Sequence, residues 1–394
     1  MKLSKRIENV SASATIAITA RAKEMKDQGV DVVSYGAGEP DFDTPQFIKD
    51  AAIEALQAGD TKYTPRQGKK LLEAISKKLA DENGLSYDPQ QILMTFGGKH
   101  ALHCAFEALV DDGDKVLIPA PYWVSYTEQV ELAGGEPVIL QTSPESNFKI
   151  TPDQVRQAGT DAKILVLNSP SNPTGVAYTP DELKAIAEAV LETDLIVFSD
   201  EIYEKLIYGD TKFVSFASLD DRLMDRTITL NGLSKTFSMT GWRLGWAAGP
   251  KEVIAGMKRY MSHSTTNPVS FAQAGALAAY THPKSAETVE GMRQEFEKRG
   301  LHMWERLNAI DGVSCAKPDG AFYCFPDLSA HYGKTLGGVE VTDSMSFAKA
   351  ALEAANVALV PGGAFGEDRC VRLSFAISME QIGKGLDRLS ELLS

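Results

Sequence analysis

Between residues 92 and 250 the chain alternates short, continuously apolar runs with helical patterns, and few folds accept that order. The runs fall at 92–96, 115–119, 137–140, 164–167, 195–198 and 227–230. Runs this short, with no polar alternation, suit strands buried on both faces of a sheet. Between two of them Thr179-Pro180-Asp181-Glu182 reads as a capping box with proline at the first helical position. Strands separated by such helices predict βαβ units and an α/β fold: a mostly parallel sheet flanked by helices.

Past residue 283 the pattern changes. Val289, Met292, Phe296, Met303 and Leu307 keep helical spacing in a charged background, which predicts one long amphipathic helix. Apolar runs follow at 321–325, 357–360 and 371–376, and Ser378-Met379-Glu380-Gln381 reads as a capping box before a helix with Ile382, Leu386, Leu389 and Leu393 inward. Elements without strict alternation predict a smaller α+β domain. An N-terminal helix over about 13–28, stopped by Gly29, has no partner nearby in sequence and is expected to pack on it. A length of 394 residues accommodates two domains. We place them at 46–282 (large, α/β) and at 1–45 plus 283–394 (small, α+β, with an N-terminal lid segment).

Composition narrows the function classes. A net charge of −13 disfavours nucleic acid and anionic membrane, whose phosphates would be repelled over most of the surface. No apolar run approaches the ~18 residues of a membrane span, and no apolar stretch of a secretory signal follows Lys2, Lys5 and Arg6, so a cytoplasmic location is expected. Cys104, Cys315, Cys324 and Cys370 show no CxxC spacing and read as packing residues, and the six histidines show no metal-ligand spacing.

In open α/β sheets ligands sit beyond the carboxyl ends of the strands. After the first run come Gly97-Gly98-Lys99-His100 and a helical pattern, which suits a phosphate cradle as well as a plain tight turn. It is not a Walker A motif, and Gly36-Ala37-Gly38-Glu39-Pro40-Asp41 fails the GxGxxG fingerprint at its last position. Asn168-Ser169-Pro170-Ser171-Asn172-Pro173-Thr174-Gly175 follows another run and is too elaborate for a generic turn. Asp200 directly follows an apolar run, where a buried acid needs a cation or a donor; a helix N-cap is the plainer reading. Lys235, among small and apolar residues, is expected to be desolvated, which lowers its pKa and makes it a possible Schiff-base nucleophile, although surface lysines are commoner. Together Asn172, Asp200 and Lys235 would converge on one sheet edge, with Gly98 and Arg243 near a phosphate. A lysine, an acid and a phosphate cradle are what pyridoxal phosphate requires.

With these motifs in view the chain resembles, end to end, the class I (fold type I) pyridoxal-phosphate aminotransferases, most of all the bacterial-type aspartate aminotransferase and aspartate/prephenate aminotransferase branch. The motifs are Ala37-Gly38-Glu39-Pro40-Asp41-Phe42, Tyr63-Thr64-Pro65, Pro121-Tyr122-Trp123-Val124-Ser125-Tyr126, Ser171-Asn172-Pro173-Thr174-Gly175, Ser199-Asp200-Glu201-Ile202-Tyr203, Ser234-Lys235, and Met239-Thr240-Gly241-Trp242-Arg243. The resemblance implies that Lys235 holds the cofactor covalently and shuttles the proton, and that Asp200 keeps the pyridine nitrogen protonated. Asn172 and Tyr203 would bond the ring oxygen, and Trp123 would stack on the ring. Arg243, Ser234, Gly98 and Lys99 would hold the phosphate, joined by Tyr63 from a neighbouring subunit, so a homodimer with shared active sites is expected. Arg372 and Gly38 would bind the substrate α-carboxylate, with Trp123 and Asn172 also against the substrate; Phe322 lines the pocket or is plain core.

Lys99 and Thr15 would face a distal carboxylate, which fits aspartate and 2-oxoglutarate as partners. Relatives active on prephenate tend to carry a lysine where Ser11 stands, and more distant relatives a phosphate-binding serine where Gly232 stands. Prephenate or aromatic amino-acid transamination stays open, and so does a carbon–sulfur lyase or cyclopropane-forming synthase on the same scaffold. A sensor with an added DNA-binding helix-turn-helix is disfavoured by the acidic charge and by the early position of Gly36-Ala37-Gly38.

Overall fold

A computed structural model describes residues 2–8, 10, 14–63 and 68–394, without the side chains of residues 5, 6, 14–17 and 19. The expected Thr15 contact and the segments Ser11-Ala12-Ser13 and Thr64-Pro65 therefore lie outside the described residues.

The alternating region forms a seven-stranded sheet from β1 (Ile92–Thr95), β2 (Lys115–Pro119), β3 (Glu136–Leu140), β4 (Ile164–Asn168), β5 (Ile196–Asp200), β6 (Thr227–Gly232) and β7 (Gly245–Ala248). Their order is β1-β7-β6-β5-β4-β2-β3, and β7 alone runs antiparallel to its neighbours. Side-chain alternation explains the unbroken apolar runs. Along β2, Val116 and Ile118 enter one core while Leu117 enters another; along β4, Ile164 and Val166 part from Leu165 and Leu167 in the same way.

Strand β7 is the one strand of this sheet that the sequence reading missed. Gly-Trp-Ala-Ala has no β-branched residue and follows the lysine loop without a break. Its glycine has a steric reason, since a Cβ on Gly245 would lie 2.5 Å from the Gly97 carbonyl carbon and the Gly98 nitrogen. The turn after β1 thus rests directly on β7.

Helices start where their caps predict. Thr179 accepts from the Glu182 N–H at 3.2 Å, and Glu182 accepts from the Thr179 N–H at 2.7 Å, opening the helix Pro180–Leu191. Ser378 accepts from the Gln381 N–H at 3.3 Å, the forward half of the expected box, and opens the helix Met379–Leu393.

Beyond the sheet, β8 (Tyr323–Cys324), β9 (Val360–Pro361) and β10 (Val371–Ser374) form an antiparallel sheet in the order β9-β10-β8. The long helix Ser285–Asn308 buries Met292, Phe296, Met303 and Leu307. The N-terminal helix Ala14–Asp27 sends Ala22 into a cluster with Val32, Leu352 and Ala358, so it packs where expected. Among the described residues no helix is long and apolar enough to cross a membrane.

Candidate active site

The carboxyl ends of three adjacent strands build the floor of the site. Register pairs Asn168 of β4 with Asp200 of β5, and Asp200 with Leu230 of β6. The loop after β6 carries Ser234 and Lys235 back over this edge. A cavity of about 780 Å³ opens there. It is lined by Gly38, Gly98, Lys99, Trp123, Asn172, Asp200, Tyr203, Ser234, Lys235, Arg243 and Arg372, all assigned from the sequence, and by Tyr126 and Tyr323, which were not. Tyr63 is 88% exposed and lies outside the cavity lining.

Lys235 donates to the Gly38 carbonyl. Burial lowers its pKa to about 8; Arg372 and Arg243 push it the same way, against Glu39 and Asp200. The desolvation inferred from its neighbours is therefore present. Asp200 accepts from the Tyr126 hydroxyl at 2.7 Å and from the Ile202 N–H at 3.2 Å. The second bond caps a turn; the helix that the plainer reading expected does not follow, and the carboxylate faces the cavity. Burial raises its pKa despite both bonds and the nearby Lys235.

Arg372 is buried in β10. Its Nη1 donates to Asn172 Oδ1 and its Nη2 to the Gly36 carbonyl, both at 3.0 Å, while its Nε has no partner. The guanidinium lies over the Tyr323 ring, 4.6 Å from its centroid. Lys99 Nζ sits 4.9 Å from the Trp123 ring centroid, and burial with the charge of Arg243 lowers its pKa. Arg243 donates to the carbonyls of Thr240 at 2.9 Å and Phe96 at 3.4 Å. Its guanidinium stands against the Gly97 turn, where a Cβ would lie 2.7 Å from Nη2. The helix Gly98–Leu109 begins at that point.

Lys99, Lys235, Arg243 and Arg372 thus line one cavity, and among the described residues none has a carboxylate at ion-pair distance. In a chain of net charge −13 that is a site built for anions.

The pocket wall decides between the two readings of Phe322. Phe322 is not a lining residue; it is fully buried in the core with Phe296 and Phe375, and Tyr323 faces the cavity instead. Phe322 lies in the turn just before β8, so an apolar run alone could not say which of the two faced the cavity. Tyr126 was also unassigned, although the motif containing it was recognised.

Two carboxylates beside the catalytic pair point away from the cavity. Glu201 accepts from Ser199 (3.0 Å), Ser215 (2.7 Å) and the Phe216 N–H (3.2 Å). Glu204 pairs with Lys78 and accepts from Asn83 at 2.9 Å. Asp200 and Tyr203 therefore sit on a turn whose other side is anchored in a buried polar cluster.

The residues present fit pyridoxal phosphate. A glycine turn with an adjacent arginine meets a phosphate, a buried acid meets a ring nitrogen, and a desolvated amine meets an aldehyde carbon. The comparisons agree. Residues 30–389 match the family model for aminotransferase class I and II. The aspartate aminotransferase of Geobacillus stearothermophilus is 50% identical over 395 residues, covering 100% of this chain and 99% of that protein. The aspartate/prephenate aminotransferase of Cereibacter sphaeroides is 46% identical, covering 98% of this chain and 97% of the relative. The solved aspartate aminotransferase of Thermus thermophilus with maleate superposes with a TM-score of 0.94 at 43% identity, covering 100% of both chains. With its fold, its cofactor chemistry and its full-length relatives in agreement, the chain belongs to the pyridoxal-phosphate-dependent class I and II aminotransferases.

Proposed function

We propose that this aminotransferase moves the amino group of aspartate to 2-oxoglutarate, giving oxaloacetate and glutamate in two half-reactions. The observation that carries the reading is Lys99: with Lys235 given to the cofactor, Arg243 to the phosphate and Arg372 to the α-carboxylate, it is a further cation of the cavity lining with no carboxylate at ion-pair distance. A distal carboxylate accounts for the surplus. Relatives named for aspartate and for aspartate/prephenate support it, and maleate, carried by the Thermus structure, is itself a four-carbon dicarboxylate.

Bound in the cavity, pyridoxal phosphate supplies an electron sink for the pair left when a proton leaves the substrate Cα. Asp200 holds a proton on the ring nitrogen, and Tyr126 keeps that carboxylate in place. Lys235 anchors the cofactor. Its amine, desolvated and with a lowered pKa, would also be the group that carries the Cα proton. Asn172 Oδ1 is taken by Arg372, which leaves its Nδ2 as a donor to the ring oxygen, with Tyr203 as the second. Trp123 covers the ring face. Arg243, Ser234 and the N–H groups of Gly98 and Lys99 hold the phosphate. Arg372 and Gly38 grip the α-carboxylate, and a Cβ on Gly38 would stand 3.4 Å from the Tyr323 hydroxyl and 4.0 Å from Arg372 Nη2, in the space between them. Lys99 meets the distal carboxylate.

The proposal extends to assembly. The chain divides at 46–282 and 1–45 plus 283–394. It forms a homodimer in the cytoplasm, in which Tyr63 completes the phosphate site of the neighbouring subunit. The exposure of Tyr63 in the single chain supports this. Lys99→Ala tests substrate choice: kcat/KM for aspartate should fall about 10–100-fold relative to alanine, one charge-assisted contact. Equal losses on both amino acids would reject Lys99 as the distal-carboxylate group.

A further inference from the structure

Tyr323 lies where three functional groups meet. It pairs with Ser374 across β8 and β10, two residues from Arg372. Its hydroxyl is 3.0 Å from the Tyr203 hydroxyl, and its ring lies under the Arg372 guanidinium at 4.6 Å. Burial holds both phenols above their ordinary pKa, so each keeps its proton at working pH.

A phenol has one proton to give and two lone pairs to accept with. Between the two hydroxyls, one proton makes the shared bond and the other is left to point into the cavity. If Tyr203 donates to the cofactor ring oxygen, Tyr323 must be the donor to Tyr203. We infer that Tyr323 is a positioning residue of the reaction: its hydroxyl orients and polarises Tyr203 toward the cofactor, and its ring holds the Arg372 guanidinium against the substrate carboxylate. The inference rests on the reading of Tyr203 given above. Donation along a chain strengthens the next bond by roughly 10–30%. A stronger donor to the ring oxygen favours its ionised form, and so lowers the pH at which the visible absorption of the lysine-bound cofactor changes.

The test is a pH titration of that absorption in the holoenzyme for wild type, Tyr203→Phe, Tyr323→Phe and the double variant. Tyr203→Phe should raise the midpoint. Tyr323→Phe should raise it by a smaller amount, on the order of 0.3 of a pH unit or twofold in proton affinity, with KM for aspartate within about twofold because the ring remains. The double variant should match Tyr203→Phe alone, since Tyr323 acts through that hydroxyl. Tyr323→Leu should raise KM by about three- to tenfold through loss of the ring under Arg372. An unmoved midpoint in Tyr323→Phe, or additive shifts in the double variant, overturns the relay. An unmoved midpoint in Tyr203→Phe overturns the reading of Tyr203 together with it.

Discussion

Arg372 offers the most quantitative check on substrate binding. Its Nη atoms are each held by one oxygen at 3.0 Å, its Nε is unpaired, and an aromatic ring lies 4.6 Å beneath it. The fork is oriented before substrate arrives, so little is lost on binding. Two parallel charge-assisted bonds to a carboxylate contribute about 1.5–3 kcal/mol each. Arg372→Lys keeps the charge and one bond at most, so kcat/KM should fall about 10–150-fold. Arg372→Ala loses both and leaves Asn172 Oδ1 without its donor, a fall of about 150- to 20,000-fold. The assay is steady-state kcat/KM for aspartate, glutamate, alanine and phenylalanine, with visible absorption confirming that cofactor stays bound. Every amino acid carries the α-carboxylate, so the fold-loss should be alike for all four. A loss confined to aspartate and glutamate would place the distal carboxylate on Arg372 and refute the assignment.

Two further outcomes follow from the buried acids. Asp200→Asn removes the anion that holds a proton on the ring nitrogen; kcat should drop at least about tenfold with cofactor retained, and an unchanged kcat would reject that role. Glu201 is a carboxyl whose pKa burial raises from 4.5 to about 7, against its bonds from Ser215 and Ser199. The folded state then binds the extra proton more tightly, so this contribution is fully present below pH 4.5 and is lost as pH rises through 7, by up to about 3 kcal/mol. Urea unfolding of Glu201→Gln between pH 5 and 8 should show a smaller fall in stability than wild type, and parallel profiles would remove Glu201 as the source.

Strands with both faces buried carry their own signature, and so do helices opened by Thr179 or Ser378. The residues beyond the strand ends were legible by place, since Asp200, Asn172 and Lys235 follow apolar runs at the edge where open α/β sheets bind ligands, and the family resemblance supplied their roles. What stayed hidden depends on contacts between distant segments. Gly245 is explained by the Gly97–Gly98 turn it touches, nearly 150 residues away. Tyr126 is explained by Asp200, and Tyr323 by Tyr203 and Arg372. Lys78, which the sequence analysis did not single out, is buried in the helix Lys69–Asn83 against Glu204 behind the site. No local period marks such pairs, because each partner alone looks like an ordinary core or surface residue.

The central claim is that Lys235 and its neighbours run the first half of a transamination on aspartate. The most direct test is the visible spectrum of the purified protein, before and after aspartate is added with no oxo acid present. The account predicts an absorption band of the lysine-bound cofactor that bleaches to the pyridoxamine form as oxaloacetate is released, and no such band in Lys235→Ala. A band that persists with aspartate but bleaches with tyrosine would contradict the substrate, and a protein that takes up no cofactor from added pyridoxal phosphate would contradict the account at its base.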